Sequence, residues 1–194
     1  MTEQEPVRPR RVLVVITGSI MAAFMPTWIS LIRAELRCVV QVLLTESAAE
    51  LVSAQALSAL TGRPIAGPAW RADQSGGAEH VVLAQWAEIV VVVPATMNFC
   101  AKLTVGLCDD LASTTVHSAT APTVLVPSLP TGCLAKPATR RVLGTLSEDG
   151  HLLVRGTATS VTTGEQESGG PGTIDDLIGA LITLGVAPVS ALAT

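Results

Sequence analysis

The sequence predicts an α/β fold in which a doubly wound parallel sheet lies between two layers of helices. Short runs of β-branched apolar residues alternate along the chain with segments of helical periodicity, which is typical of this class. The runs are almost continuously apolar, as expected of strands that helices cover on both faces. The length of 194 residues and the 48% content of hydrophobic residues fit a single domain with a large core.

Local signals mark the first two strands and the helix between them. One strand is predicted over residues 11–16 (RVLVVI) and a second over residues 38–44 (CVVQVLL). Between them a helix is predicted over residues 20–36, with Ser19 in position to cap its N-terminus. Pro26 lies inside this helix and is expected to kink or restart it, because proline has no N–H to donate.

The rest of the chain continues the alternation. Further strands are predicted at residues 89–93, 123–126 and 151–154. Helices are predicted at residues 48–60, 99–107, 109–118, 136–146 and 174–184, a short helix or turn at 81–87, and a loop at 67–78. Residues 1–10 are expected to be a flexible tail, residues 11–194 the single domain, and the polar segment 156–172 a mobile flap over the substrate.

Composition excludes several classes of protein. The net charge of −4 and the pI near 5.3 give no field that would attract nucleic acid. The longest apolar stretch, residues 12–32, is interrupted by polar residues and a proline, whereas a membrane span needs roughly 20 continuous apolar residues. The N-terminus has no signal-peptide pattern, so we expect a cytoplasmic protein. The low charged content of 14% and the mean hydropathy of +0.51 predict apolar surface buried between subunits.

The cysteines do not form a metal-binding pattern. Cys38, Cys100, Cys108 and Cys133 show no CxxC spacing, and no group of histidines accompanies them. We therefore expect no metal site and reduced thiols.

Small and hydroxyl-bearing residues follow the first three strands, at residues 17–20, 45–47 and 94–98. The carboxyl ends of parallel strands meet at one edge of the sheet, where ligands bind. Backbone N–H groups at helix N-termini favour a phosphate, so we expect a phosphate-bearing cofactor across these strand ends, although ordinary helix caps would produce the same pattern. The sequence has no GxGxxG motif, Walker A loop or GxSxG elbow, and no acidic residue ends the second strand.

Four sequence strings occur in a recognisable order. They are TGSIMAAF at residues 17–24, VLLTESAAELVS at 42–53, HVVLAQWAE at 80–88 and VVVPATMNFCAKLTVGLCDDL at 91–111. Together they resemble the homo-oligomeric flavin-containing cysteine decarboxylases, over about residues 11–146. That family includes phosphopantothenoylcysteine decarboxylase of coenzyme A synthesis and the peptidyl-cysteine decarboxylases of lanthipeptide and linaridin pathways.

The resemblance implies a flavodoxin-like, Rossmann-like fold that binds FMN, or FAD in some members. It also implies a homo-oligomer built from trimers, expected here as a dodecamer, with each active site at a subunit boundary. By position, the residues implied to hold the flavin phosphate and ribityl chain are Gly18, Ser19, Ile20, Thr45 and Ser47. Those implied to line the isoalloxazine are Pro94, Ala95, Thr96, Met97 and Asn98.

His80 matches the active-site histidine of the family. In that family the reaction begins with oxidation of the cysteine thiol to a thioaldehyde, after which the carboxylate leaves as CO2 and an enethiol forms. A histidine suits removal of the thiol proton near neutral pH, although a loop histidine bonded to backbone is the alternative. His117 and His151 are expected to be structural or solvated.

The sequence departs from the family after the fourth strand, where the family pattern is Pro-x-Met-Asn-x-x-Met-Trp. Residues 127–134 read PSLPTGCL, so Pro130 replaces the asparagine that helps to bind the substrate carboxylate, and Leu134 replaces the tryptophan. The carboxylate must then be bound elsewhere, by backbone N–H groups near Thr131 and Gly132 or by Lys136; the alternative is that activity on that substrate is lost. Cys133 is expected to be a small buried apolar side chain.

This departure favours a peptidyl-cysteine decarboxylase acting on a Cys-terminal precursor peptide in a natural-product pathway. An enzyme of coenzyme A synthesis would be expected to keep the asparagine and, in bacteria, to be fused to a synthetase domain. A flavin prenyltransferase and a non-catalytic flavin-binding regulatory subunit remain open alternatives.

Overall fold

The computed structural model describes residues 8–71, 77–159 and 166–192. Five parallel strands form the central sheet in the order β2-β1-β3-β4-β5. The strands are β1 (Arg10–Ile16), β2 (Cys38–Leu44), β3 (Ile89–Ala95), β4 (Thr123–Pro127) and β5 (Leu152–Leu153). This order is that of the flavodoxin-like doubly wound sheets, so the predicted fold class is confirmed.

The helices connect successive strands. They are α1 (Met25–Glu35), α2 (Glu46–Ala49), α3 (Ala54–Thr61), α4 (Glu79–Trp86), α5 (Met97–Thr104), α6 (Leu111–Ser118), α7 (Thr131–Leu134), α8 (Pro137–Glu148) and α9 (Ile174–Thr183). Short 3-10 segments lie at Ile20–Phe24 and Val189–Leu192. In the described parts of the chain, none of these helices combines the length and apolarity that crossing a membrane requires.

Alternation along the buried strands creates two apolar cores, one on each face of the sheet. Val12 and Val14 of β1 pack on the side of α1, α3 and α9. Leu13 and Val15 pack on the side of α5, α6 and α8, where Phe99 is the largest fully buried side chain. Helices therefore cover both faces of the sheet, as predicted for a three-layer fold.

Two predicted helices are divided in the structure. Pro26 restarts the first, because α1 begins at Met25 and the missing proline N–H falls in the first turn, where it has no intrahelical acceptor. The helix predicted over residues 48–60 is in fact two helices. Ser53 separates them, since its hydroxyl accepts a hydrogen bond from the Ala56 N–H and so begins α3.

Three further elements differ from the prediction. β3 continues through Pro94 and Ala95 instead of ending at Val93. The segment predicted as a mobile flap contains a β-hairpin, in which β6 (Arg155–Thr159) pairs antiparallel with β7 (Gln166–Pro171); residues 160–165 lie outside the described residues. The hairpin packs against α7 and β4, at the carboxyl edge of the sheet. α7 itself had no sequence signal.

Candidate functional site

The order of the sheet places a switch point between β1 and β3. The chain leaves β1 towards β2 on one side and β3 towards β4 on the other, which opens a crevice at the carboxyl ends of these two strands. A cavity of about 560 Å³ lies at this edge. Four of the residues that the sequence predicts to bind the cofactor line it: Thr45, Ser47, Thr96 and Asn98. Thr17, from the first of the hydroxyl-rich loops, lines it as well.

Thr17 joins the loops that follow β1 and β3. Its side chain is buried, and its hydroxyl donates a hydrogen bond of 2.7 Å to the carbonyl oxygen of Pro94. The Thr17 hydroxyl oxygen in turn accepts a hydrogen bond of 3.0 Å from the backbone N–H of Thr96. One hydroxyl therefore uses both its donor and its acceptor capacity to fix the two strand ends relative to one another.

Gly18 allows the loops after β1 and β2 to touch. A Cβ atom at this position would lie 2.3 Å from the Oγ atom of Ser47 and 2.5 Å from its Cβ atom. Both distances are far shorter than any real carbon contact, so only glycine fits while Ser47 keeps its place. This close approach brings the hydroxyl of Ser47 to the cavity.

Ser19 extends the frame to β4. The hydroxyls of Ser19 and Ser128 share a hydrogen bond of 2.9 Å, and the Ser128 N–H donates to the Ala95 carbonyl at 3.0 Å. Ser19 also accepts from the Met21 N–H and caps the 3-10 segment, rather than a full helix as predicted. The ends of β1, β3 and β4 are thus cross-linked by small hydroxyl side chains.

The hydroxyls of the other two loops also cap helices. Thr45 accepts from the Ala48 N–H at the start of α2, and Thr96 accepts from the Phe99 N–H at the start of α5. These hydroxyls therefore do act as ordinary N-caps, as the alternative interpretation of the sequence predicted. Because Thr45 and Thr96 also line the cavity, capping and ligand contact are compatible at these positions.

The remaining predicted cofactor residues do not line the cavity. Pro94 and Ala95 are buried at the end of β3, and Ile20 is 49% exposed at the start of the 3-10 segment. Met97 is the half-buried first residue of α5.

A charged cluster at one end of the cavity was given no role from the sequence. The Nζ atom of Lys102 lies 2.6 Å from Oδ1 of Asp109 and 2.7 Å from Oδ2 of Asp110. Burial alone would lower the pKa of Lys102, but hydrogen bonds to the two carboxylates outweigh it and hold that pKa above its usual range. Burial likewise would raise the pKa of Asp110, but its bonds to Lys102 and Ser113 hold it below the usual range.

Acidic groups also stand at the β2 side of the cavity. Glu46 and Glu50, the first residue and the C-cap residue of α2, line it, whereas β2 itself ends at Leu44 without an acidic residue. Lys102 is the sole cation among the described lining residues, and it is already paired. A phosphate in this cavity would therefore depend on hydroxyls and backbone N–H groups for its binding.

His80 lies in the first turn of α4, not in a loop. Its Nδ1 atom is buried and has no hydrogen-bond partner within the described ranges. Its ring meets the Trp70 ring edge-to-face, with 5.4 Å between centroids and 79° between planes. His80 does not line the cavity, but Pro68 and Ala69, which directly precede Trp70 in the chain, do.

The other two histidines lie elsewhere. His117 and His151 line a separate cavity of about 210 Å³ at the amino end of β4, across the sheet from the hydroxyl-rich loops. Burial lowers the pKa of His151. Neither histidine lines the first cavity. Within the described ranges no cluster of three metal-ligating side chains occurs.

Pro130, which replaces the family asparagine, is the N-cap residue of α7 and is exposed. Its carbonyl accepts the N–H groups of Cys133 and Leu134. Cys133 is half-buried, whereas the sequence predicted a buried side chain. Its Sγ atom lies 3.3 Å from the hydroxyl of the buried Thr139.

Comparison with known proteins places this geometry in context. A family model described as Flavoprotein matches residues 1–184. The coenzyme A biosynthesis bifunctional protein CoaBC of Mycobacterium tuberculosis (strain CDC 1551 / Oshkosh) is 33% identical over 162 residues, which cover 84% of this chain and 38% of that protein. The chain spans about a third of the length of the curated relatives it matches.

Two solved structures are similar to this chain in both fold and sequence. The FMN-dependent cysteine decarboxylase SpaF is 30% identical, with a TM-score of 0.79 over 91% of this chain and 98% of that one. The FMN-dependent cysteine decarboxylase TvaF from thioviridamide biosynthesis is 29% identical, with a TM-score of 0.68 over 74% of this chain and 88% of that one.

Proposed function

The chain belongs to the flavoprotein family, and from that premise we propose that it decarboxylates the C-terminal cysteine of a precursor peptide, oxidatively and with the help of a flavin, to leave an aminoenethiol. The main support is an arrangement in the structure: a hydroxyl-lined cavity lies at the β1–β3 switch point, and His80 contacts Trp70, which directly follows two of the lining residues in the chain. SpaF and TvaF, similar over most of this chain, are cysteine decarboxylases.

The volume of the cavity is compatible with a bound flavin mononucleotide. It is in the usual range for small-molecule sites, about 300–1,000 Å³. We propose FMN rather than FAD, because SpaF and TvaF are FMN-dependent. The phosphate and ribityl chain would be held at Gly18, Ser19, Ile20, Thr45 and Ser47. The isoalloxazine would be held along Pro94–Asn98, where Asn98 offers an exposed amide and the buried Pro94 and Ala95 offer only backbone.

In the proposed reaction His80 takes the proton of the substrate thiol, because it is the histidine that contacts the loop carrying Pro68 and Ala69 of the cavity lining. A bound flavin supplies the two-electron acceptor that this oxidation needs. The cysteine side chain loses a proton from sulfur and a hydride from its β-carbon and becomes a thioaldehyde. The carboxylate lies β to the new C=S group, so its bonding electrons move towards sulfur as CO2 leaves, and protonation of sulfur gives the enethiol.

The substrate carboxylate would be bound at the start of α7. Pro130 provides neither a side-chain amide nor an N–H there, so the backbone N–H groups of Thr131 and Gly132, with Lys136, are the proposed donors. The segment Gly156–Gly172, which includes the β6–β7 hairpin, would cover the peptide because the hairpin packs against α7. Deleting residues 157–167 should then raise KM for the peptide while flavin stays bound.

We also propose that the chain assembles into trimer-based homo-oligomers, as a dodecamer. Ile20 and Phe24, next to the capped end of β1, are 49% and 48% exposed. A partner copy would remove this apolar surface from water. Light scattering should give a mass that is a multiple of three subunits, whereas a monomer at micromolar concentration would contradict the assembly.

Phosphopantothenoylcysteine decarboxylation is the second candidate, because the curated relatives are coenzyme A biosynthesis proteins. Pro130 argues against it, since the family asparagine is absent. The test compares the two substrates directly. Purified protein is reconstituted with FMN and incubated with a Cys-terminal peptide or with phosphopantothenoylcysteine, and mass spectrometry follows the loss of CO2 and two hydrogens.

Conversion of the peptide alone supports the proposal, and conversion of phosphopantothenoylcysteine alone supports the second candidate. A peptide ending in serine is the matched control, since it has no thiol to oxidise. His80→Asn should retain the flavin and lose about 10²–10⁴-fold in activity, the usual contribution of a positioned base. Full activity in that variant would remove His80 from the mechanism.

A further inference from the structure

Trp70 occupies a position that the hydrophobic core does not explain. Its side chain is 52% exposed, although an indole is among the most costly groups to leave in water. It lies between two functional features: Pro68 and Ala69 immediately before it line the cavity, and its ring contacts His80. Hydrogen bonds at both ends of its loop hold it there.

The start of the Trp70 loop is anchored on β2. Ala66 pairs with the edge of that strand, since its N–H donates to Val42 and its carbonyl accepts from Leu44, both at 3.0 Å. Gly67 then turns the chain with φ +71°, and a Cβ there would lie 2.3 Å from the Leu44 carbonyl oxygen. The turn therefore follows the strand edge closely and delivers the next residues to the cavity.

The end of the loop is anchored on α4. The backbone N–H of Arg71 donates to Oε2 of Glu79 at 2.7 Å. Glu79 is the first residue of α4 and His80 is the second. The bond joins the residue after Trp70 to the residue before His80. Because these neighbours are tied together, the two rings are held in contact.

The geometry points to Trp70 as a positioning residue for His80. We propose that the indole fixes the orientation of the imidazole, so that the histidine presents its base to the substrate thiol. Edge-to-face packing at 5.4 Å is a favoured arrangement of two aromatic rings, and it restricts rotation of the smaller ring. This inference rests on the proposed role of His80.

Two substitutions separate positioning from bulk. Trp70→Leu removes the ring, and we expect kcat to fall roughly 10-fold with little change in KM, because a misoriented base slows the chemical step without weakening binding. Trp70→Phe keeps an aromatic ring and should recover most of the loss. Trp86→Phe is the matched control, since Trp86 lies at the other end of α4 and packs under Arg63. It should leave kcat unchanged.

A double-mutant cycle shows whether Trp70 acts through His80. In the His80→Asn background, Trp70→Leu should have no further effect on kcat, because the residue it orients is gone. If the effects multiply, Trp70 acts on substrate or flavin directly and the inference is overturned.

A spectroscopic measurement does not depend on activity. With ¹³C-labelled histidine, the ring resonance of His80 should move in Trp70→Leu through loss of the indole ring current, while the resonances of His117 and His151 stay in place. A stationary His80 resonance would refute the contact. If His80→Asn is fully active, the proposed catalytic role of His80 fails; if His80→Asn is inactive but Trp70→Leu is normal, only the role of Trp70 fails.

Discussion

Substituting Gly18 by alanine tests whether the cofactor cavity depends on the contact between the loops after β1 and β2. The new Cβ would lie 2.5 Å from the Ser47 Cβ, whereas ordinary contacts begin at 3.4 Å, so the loops must separate by about 0.9 Å. Gly18 has no positive φ, so backbone strain does not contribute. Overpacking of this kind costs about 1–3 kcal/mol, which corresponds to a loss of roughly 5- to 150-fold in affinity if the cost falls on the bound state.

The assay is a titration of flavin-free protein with FMN, followed by quenching of flavin fluorescence, together with the thermal midpoint of each variant. Gly18→Ala should bind FMN more weakly by the factor above. Gly144→Ala is the matched control: it lies within α8, and an added Cβ meets nothing within 4 Å. Alanine there should leave FMN binding unchanged and stabilise the protein by about 0.5–1 kcal/mol.

A compensating substitution makes the steric argument falsifiable even if Gly18→Ala folds poorly. In the double variant Gly18→Ala, Ser47→Gly, both side-chain atoms that clash are gone, and only the Ser47 backbone carbon at 3.2 Å remains close. Affinity should then return towards that of Ser47→Gly alone, which reports the separate loss of the hydroxyl. Wild-type affinity in Gly18→Ala, or a double variant no better than the single one, would refute the reasoning.

Two further predictions concern hydrogen bonds at the cavity, and a third concerns the start of α7. Thr17→Val leaves the Pro94 carbonyl and a backbone N–H without their buried partner and should cost about 3 kcal/mol in urea unfolding, against about 1 kcal/mol for Thr115→Val, whose hydroxyl makes a single bond within α6. Because the pKa of Asp110 is lowered in the folded state, its carboxylate stabilises the protein above the unfolded pKa and loses this contribution as the pH falls through the folded value. The stability difference between wild type and Asp110→Asn should therefore be constant near neutral pH and shrink below about pH 4. Pro130→Asn restores the family residue at an exposed N-cap position that asparagine favours, and it should increase turnover of phosphopantothenoylcysteine with FMN affinity unchanged.

The positions of the strands could be predicted because their signal is local. An uninterrupted apolar run such as residues 89–93 is buried on both faces wherever it lies in a parallel sheet, so composition and position suffice. The hydroxyl-rich loops were predictable for a similar reason, since each directly follows a strand. The division at Ser53 was missed because a serine within an apolar periodic segment fits both a helix interior and an N-cap, and only the hydrogen bond to Ala56 decides between them.

The contacts that shape the site were not predictable, because they join distant parts of the chain. The Thr17 hydroxyl reaches Pro94 across 77 positions and Ser19 reaches Ser128 across 109. The pairing of Lys102 with Asp110 and the packing of Trp70 on His80 are closer in sequence, but neither follows a helix or strand period. His80 itself could be singled out only through resemblance, since no local pattern distinguishes it from the other histidines.

The carboxyl edge of the sheet has two parts, which differ in the contacts that hold them. On the cavity side, buried hydroxyls and backbone bonds tie the ends of β1, β3 and β4 together, so the loss of one contact is transmitted to neighbouring loops. On the side of α7, the hairpin contacts α7 and β4, and the N-cap residue Pro130 offers no side-chain bond to that helix. Two of the variants above distinguish the two parts. Gly18→Ala disturbs the cavity side and should weaken FMN binding, whereas Pro130→Asn changes only the start of α7 and should leave FMN affinity unchanged.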